Sequence, residues 1–402
     1  MDFCKPDYEN SIVNLMEFLR DGMGECAPDP DMNWPYALRD KRFSQCLDRA
    51  QHIFLVVLDG LGYDYLSAKP DSFLHKNLIG KISSVFPTST APAISSYASG
   101  MSPASHGIFG WFQWVGVLGQ ICACLPFESR AVQTPFADHG VSFSDCFSFS
   151  TFFQDLTRSC YAYSPEAITF SPYNSYISRG ATPVPYKTWS DLVSKIGVKT
   201  SSPSGKSYNY IYWPYFDTSC HINGLHSDQT ASYFDAADKG VSGLVTTLSD
   251  LGKVSGQDGG SVVLVTADHG MIDTVPEKRL QLENFPSIAD CLTKPLCGEP
   301  RVVYCHVRSK DRAAFPQIVA EVLGDYCECH SSETLIKEGW FGTSAESVPA
   351  YHYDALGDYT LVMKEDYTLK DRIPGEKPKD FIGMHGGVSA QEMEIPLCWI
   401  EC

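Results

Sequence analysis

YNYIYWPYFD (Tyr208–Asp217) is followed, across one helix-length segment, by SVVLVTAD (Ser261–Asp268), and this pair of runs decides the fold. Each is short, nearly continuous and rich in aromatic or β-branched residues, the pattern of strands covered on both faces. Between them, Ser227 to Lys253 carries Tyr233, Ala237, Val241, Leu244 and Leu248 at helical spacing. Strand, helix, strand predicts a right-handed parallel crossover. HIFLVVLD (His52–Asp59) reads as a third strand of the same kind. The expected class is α/β, a mostly parallel central sheet with helices on both faces.

The 402 residues hold 31 Lys+Arg against 48 Asp+Glu, a formal charge of −17, with 44% hydrophobic and 20% charged residues. That balance suits a packed chain, expected at this length to be one large domain with an inserted cap or two domains sharing a core. So acidic a chain is not expected to grip a nucleic-acid polymer. Small anionic substrates remain open, because a bound cation reverses the local field. The start, MDFCKPDYENSIVNLMEFLRDG, lacks a basic head and an apolar run, and no stretch has the apolar length of a membrane helix. A cytoplasmic chain with reduced thiols and no membrane partner is expected. The fifteen cysteines cannot all pair within one chain. Cys122/Cys124 and Cys327/Cys329, the latter followed by His330, have C-x-C spacing rather than the C-x-x-C of structural zinc sites. They read as buried thiols.

Residues 1–283 and 381–402 are expected to form the catalytic core, and 284–380 an inserted cap or lid. The insertion holds a predicted strand at Arg301–Val307, a helix at Asp311–Leu323 and a strand at Tyr359–Lys364. The chain then returns to the core with IPLCWI (Ile395–Ile400). Trp111 to Lys206, rich in Phe, Tyr, Ser and Pro, is a second excursion with the character of a lid or specificity wall.

All three core runs end in aspartate: Asp59, Asp217 and Asp268. Open α/β sheets place ligands at this carboxyl edge. One such Asp is explained by capping a turn, but here histidines accompany them. His221 follows Asp217 at D-x-x-x-H spacing, His269 follows Asp268 directly, and His385 is flanked by Gly383, Gly386 and Gly387. Three carboxylates and three imidazoles make a mixed N/O set suited to Zn²⁺, with Mn²⁺ or another divalent ion as alternatives. His226 is a competing ligand by its nearness to His221, and His106 reads as packing. His52, His75, His139, His306, His330 and His352 read as surface or satisfied core residues. Thr88, Ser89 and Thr90 are three candidate hydroxyls before a small-residue helix predicted to start just after Thr90. A helix start there offers free N–H groups and the positive end of the dipole, a phosphate site. Plain N-capping explains a threonine equally well.

The ordered set VVLDGLG, FPTSTAPAISSYASGMSPASHGI, FDTSCH, VTADHGM and GMHGGVSAQEMEIPL resembles the type I phosphodiesterase/nucleotide pyrophosphatase family of the alkaline phosphatase superfamily. The text GEPRVVYCHV and LGDYTLVMKEDY is similar to cytosolic-type members. The resemblance implies two bound metals. One would be held by Asp217, His221 and His385, the other by Asp59, Asp268 and His269 with the Thr90 oxygen. It further implies that Thr90 attacks phosphorus to form a phospho-threonine, with the metal not bound to Thr90, the one held by Asp217, His221 and His385, stabilising the leaving oxygen and then activating water.

Two positions depart from the family. The residue after the nucleophile, commonly an aromatic that stacks on a base, is Ala91. The position of a phosphate-binding Asn is Trp111. The Ala91 backbone N–H and the Trp111 indole are the expected substitutes, and Phe109–Trp114 offers other aromatic surface. The expected substrate is a small phosphorylated, nucleotide-like molecule cleaved at a phosphodiester or pyrophosphate bond. A phosphomonoesterase or phosphonate hydrolase of the same superfamily is the rival reading, and a catalytically silent metal-bound protein is the reading from another class. A sulfatase is disfavoured, since no C-x-P-x-R motif occurs.

Overall fold

Seven strands form the central sheet of the computed structural model, in the order Leu78–Ser83, Glu394–Glu401, Ser261–Thr266, His52–Leu58, Ser207–Trp213, Ser159–Pro165 and Thr182–Tyr186. The last five run parallel to one another, and Glu394–Glu401 is antiparallel to both of its neighbours. The described residues are 3–23, 34–200, 205–255, 260–342, 350–376 and 380–402. His52–Leu58 and Ser261–Thr266 are buried at every position, which is why both read as uninterrupted apolar runs. Ser207–Trp213 and Ser261–Thr266 do not pair with each other; His52–Leu58 lies between them. The crossover helix, Asp228–Ser255, buries Phe234, Ala237, Val241, Leu244 and Leu248. Its expected first stripe residue, Tyr233, is 42% exposed, because the buried face enters one position later, at Phe234.

A second seven-stranded sheet, antiparallel throughout, runs Cys327–Ser331, Tyr359–Met363, Val302–Cys305, Cys297–Glu299, Phe112–Val115, Gln120–Ala123 and Glu128–Ser129. It caps the core and draws on both excursions, joining Phe112 to Gly298. The expected helix over 311–323 begins only at Phe315, after a turn. The stretch from Trp111 to Lys206 is not all lid. Ser159–Pro165 and Thr182–Tyr186 return to the core sheet. Thr182–Tyr186 contains Pro183 and Pro185, which suit the sheet's edge and hide a strand from pattern reading. Among the described residues no helix is long and apolar enough to cross a membrane.

Candidate active site

Strand register brings the acidic ends together. Val57 pairs with Thr266, so two residues further along each strand Asp59 and Asp268 stand side by side, and the Gly60 N–H donates to Asp268 Oδ1 at 3.0 Å. Asp217 does not end a strand as expected. Its strand stops at Trp213 and a helix, Tyr215–Asn223, starts two residues later, carrying Asp217 and His221 one turn apart. The Asp217 N–H donates to the Asp59 carbonyl at 3.1 Å, locking the helix start onto the neighbouring strand end. His385 arrives on a loop that must lie close to that helix. A Cβ on Gly383 would stand 2.5 Å from the Cys220 carbonyl oxygen, so only glycine fits.

The six side chains converge. Asp217 Oδ1 lies 3.4 Å from His221 Nε2 and 3.8 Å from His385 Nε2. His269 Nε2 lies 3.5 Å from both Asp59 Oδ1 and Asp268 Oδ2. The His269 and His385 rings stack with centroids 3.8 Å apart. The ligand atoms of Asp59, Asp268 and His269 lie within 4.8 Å of one another, as do those of Asp217, His269 and His385. His269 thus stands between the two sets, with His221 on the outer side of the second. Among the described residues these are the only such groups, so the paired cysteines form none. Cys122, Cys124 and Cys327 are buried, and burial pushes the Cys327 thiol up to about 12.

The donor chemistry fits divalent cations. Each histidine's Nδ1 faces a backbone carbonyl: His221 that of Gly383 at 2.7 Å, His269 that of Gly270 at 3.0 Å, His385 that of Thr88 at 3.1 Å. Such a bond puts the proton on Nδ1 and turns the Nε2 lone pair toward the carboxylates. The oxygens facing those lone pairs, Asp59 Oδ1, Asp217 Oδ1 and Asp268 Oδ2, are buried and have no hydrogen-bond partner. Three buried carboxylate oxygens without a hydrogen-bond partner, facing three imidazole nitrogens, make a donor set that suits a cation. The charges agree. Burial, then the nearby Asp268 and Asp217 charges, push Asp59 well above the ordinary carboxylate range. Burial likewise raises Asp217, and burial beside His269 and His221 pushes His385 well below the ordinary imidazole range. Two bound dications would relieve all three.

Thr90 opens the helix Thr90–Ser99, so it is the first helical residue and Ser89 takes the cap position. Its Oγ1 lies 3.2 Å from His269 Nε2. The other two hydroxyls are engaged elsewhere. Thr88 Oγ1 donates to the Gly387 carbonyl at 2.8 Å and accepts from the Gly386 N–H at 3.2 Å, tying this loop to that of His385. Ser89 Oγ donates to Glu299 Oε1. Ala91 is buried in the first helical turn, where N–H groups have no intrahelical partner. His226 is exposed, and His106 is buried against Ser96 at 3.1 Å.

Sequence reading missed Glu299. It reaches in from the cap strand Cys297–Glu299, accepts from the Trp111 N–H at 2.6 Å, and lies against Gly386. Burial raises its carboxyl to about 7. Phe381, stacked on His221 at 4.4 Å, was missed too. No local signal marks either residue; both reach the site through long-range packing. Within Phe109–Trp114, Phe109 is fully buried against Phe341 and Trp114 donates to Asp354. Trp111, Phe112 and Trp114 are the partly exposed rings of that segment.

A mostly parallel sheet that delivers two carboxylate–imidazole sets and a helix-start hydroxyl to its carboxyl edge is the frame of a metal-dependent hydrolase. Comparison places the chain within that class. It belongs to the type I phosphodiesterase / nucleotide pyrophosphatase family, whose model matches residues 53–388, and so is a hydrolase of the alkaline phosphatase superfamily. Murine ectonucleotide pyrophosphatase / phosphodiesterase 5 has a similar fold, with a TM-score of 0.63 at 18% identity over 86% of this chain and 87% of that one. An inactive form of that murine protein, solved in complex with AMP, matches with a TM-score of 0.63 at 17% identity, over 86% of this chain and 87% of its own. The human counterpart also gives 0.63 at 17% identity, over 87% of both chains. No curated protein sequence gives a significant match.

Proposed function

We propose that the protein hydrolyses a phosphodiester or pyrophosphate bond of a small nucleotide-like substrate, with Thr90 as nucleophile and two divalent cations, Zn²⁺ foremost, in the site. The observation that carries this reading is the set of three unpartnered buried carboxylate oxygens facing three imidazole Nε2 atoms, with the Thr90 hydroxyl beside them. Asp217, His221 and His385 would hold one cation, and Asp59, Asp268, His269 and the Thr90 oxygen the other. Bound cations would lower the pKa of the Thr90 hydroxyl and offset charge on the leaving oxygen. Thr90 Oγ1 attacks phosphorus as the bond to the leaving oxygen breaks. Water then cleaves the phospho-threonine and restores the hydroxyl. The first-turn N–H of Ala91 holds a non-bridging oxygen, aided by the helix dipole, and the Trp111 indole supplies a further donor. Substrate class follows the family and the AMP bound by the murine neighbour. The 284–380 segment acts as the body of the lid, and the core is 1–283 with 381–402. A cytoplasmic setting belongs to the same reading, supported by fourteen described cysteines that are all free thiols.

Elemental analysis, joined to a comparison of bis-p-nitrophenyl phosphate with p-nitrophenyl phosphate, tests the proposal. About two zinc ions per chain and faster turnover of the diester are expected. Activity that survives verified metal removal, or a preference for the monoester, would overturn it.

A further inference from the structure

Ser89 takes the cap position of the helix Thr90–Ser99 and yet does not cap it. Its backbone is extended, as a cap residue's must be, and its carbonyl accepts the first helical bond from the Ala93 N–H at 3.1 Å. Its side chain makes no cap hydrogen bond. Ser72, Ser171, Ser331 and Ser389, in the same position at other helices of this chain, each accept from the backbone N–H three residues on. Three residues on from Ser89 stands Pro92, which has no N–H. A cap hydroxyl otherwise reaches the second helical residue, and here that residue is Ala91. The Ser89 hydroxyl is therefore matched to the very N–H that the proposed reaction needs for a phosphoryl oxygen.

That hydroxyl is drawn elsewhere. It donates to Glu299 Oε1, and the Trp111 N–H donates to the same oxygen at 2.6 Å. Glu299 ends the cap strand Cys297–Glu299 and is only 6% exposed. Its stem lies against Gly386, where an added Cβ would stand 2.8 Å from the Glu299 Cβ. The strand, Trp111 and Gly386 together hold the carboxyl, and the carboxyl holds the hydroxyl. Ala91 is fully buried, so an N–H left without a cap favours an acceptor that enters with the substrate. We propose that Glu299 is a positioning residue: by holding the Ser89 hydroxyl it keeps the Ala91 N–H open to a phosphoryl oxygen. This deepens the functional reading above and rests on it. A cap bond from Ser89 would have to be broken before the phosphate could be held, and breaking it subtracts from binding.

The test uses the zinc-loaded full chain as wild type, Glu299→Met, Glu299→Gln, Ser89→Ala and the double variant Ser89→Ala with Glu299→Met. Folding is checked by circular dichroism and zinc content by elemental analysis, and Glu299→Ala replaces Glu299→Met should the methionine not fold. Two quantities are read: calorimetric binding of inorganic phosphate, and kcat/KM on bis-p-nitrophenyl phosphate. Glu299→Met should lose about 5–30-fold in both, the scale of one serine cap bond, at unchanged zinc content. Glu299→Gln, whose amide oxygen still accepts from Ser89, should stay within about threefold of wild type, and so should Ser89→Ala. In the double variant the cap hydroxyl is gone, so phosphate binding should return to within about threefold of wild type. A merely structural role for Glu299 would give no such repair by a second deletion. A double variant that binds phosphate no better than Glu299→Met overturns the proposal, as does unchanged binding in Glu299→Met. Tighter phosphate binding in Glu299→Met and Glu299→Gln alike also overturns it, since the carboxylate would then act by repelling the anion. If wild type cleaves no phosphate ester, the functional reading fails on its own, and phosphate binding across the variants still decides the role of Glu299.

Discussion

Thr90 and Glu299 both neighbour Ser89, Thr90 following it in the chain beside His269 and Glu299 accepting from its hydroxyl, and they make different predictions. Thr90→Ala removes the attacking oxygen and leaves the six carboxylates and imidazoles in place. Turnover should fall by at least about 10³-fold with metal content and melting temperature little changed, while Thr90→Ser stays measurably active. Steady-state rates beside elemental analysis check this, and near-normal turnover in Thr90→Ala would remove threonine from the mechanism. Thr88→Ala, by contrast, should act through the His385 loop that its hydroxyl ties down. Glu299 titrates at about 7 in the fold, above its ordinary value of 4.5, so its protonated form favours folding. That contribution is complete below about pH 4.5 and disappears as pH climbs through about 7. Glu299→Gln keeps an acceptor for Ser89 and Trp111 but does not titrate. In the metal-free protein its stability relative to wild type should therefore rise between pH 5 and 8, by on the order of 3 kcal/mol at most. Thermal melts across that range that stay parallel would refute the assignment.

Three kinds of element deliver the proposed cation ligands. Strand ends bring Asp59 and Asp268, and the short helix Tyr215–Asn223 brings Asp217 and His221. His385 comes on a loop whose Gly383 nearly touches Cys220 of that helix. Because the sets lie on separate elements, they should empty separately. His385→Ala is expected to lose chiefly the ion shared with Asp217 and His221, and Asp268→Ala chiefly the other, leaving about one zinc per chain in each variant. Two full equivalents in either would break the ligand assignment. The aspartate and histidine positions were legible in the sequence because strand ends and D-x-x-x-H spacing are local patterns. His269 standing between the two sets was not, since it depends on the stack against His385.

Cap and core meet through a buried ion pair. Arg301, next to the cap strand Val302–Cys305, is fully buried and reaches Glu392 with Nε at 2.6 Å and a second nitrogen at 2.9 Å. Glu392 in turn accepts from the Gly387 N–H at 2.7 Å and the Ser389 hydroxyl at 2.7 Å, shaping the loop after His385. Removing one partner strands a charge in the interior. Glu392→Ala should cost about 3–5 kcal/mol in a denaturant titration and weaken retention of the ion near His385. An unchanged midpoint would mean the pair contributes nothing to cohesion between the two sheets.

The sequence by itself determined the α/β class, the strands that lead to Asp59 and Asp268, the D-x-x-x-H spacing of Asp217 and His221, and the family, because each rests on residues close together in the chain. Periodicity, strand ends and short motifs are local, and local chemistry is what a chain spells out. Only the tertiary structure decided that Phe112 joins Gly298 in one cap sheet, that a strand bearing two prolines closes the edge of the core, and that Glu299 and Phe381 stand beside the site residues. Those residues come from distant segments in no motif, and their placement depends on how two sheets pack. Burial then sets their charge, and burial is a property of the packed whole.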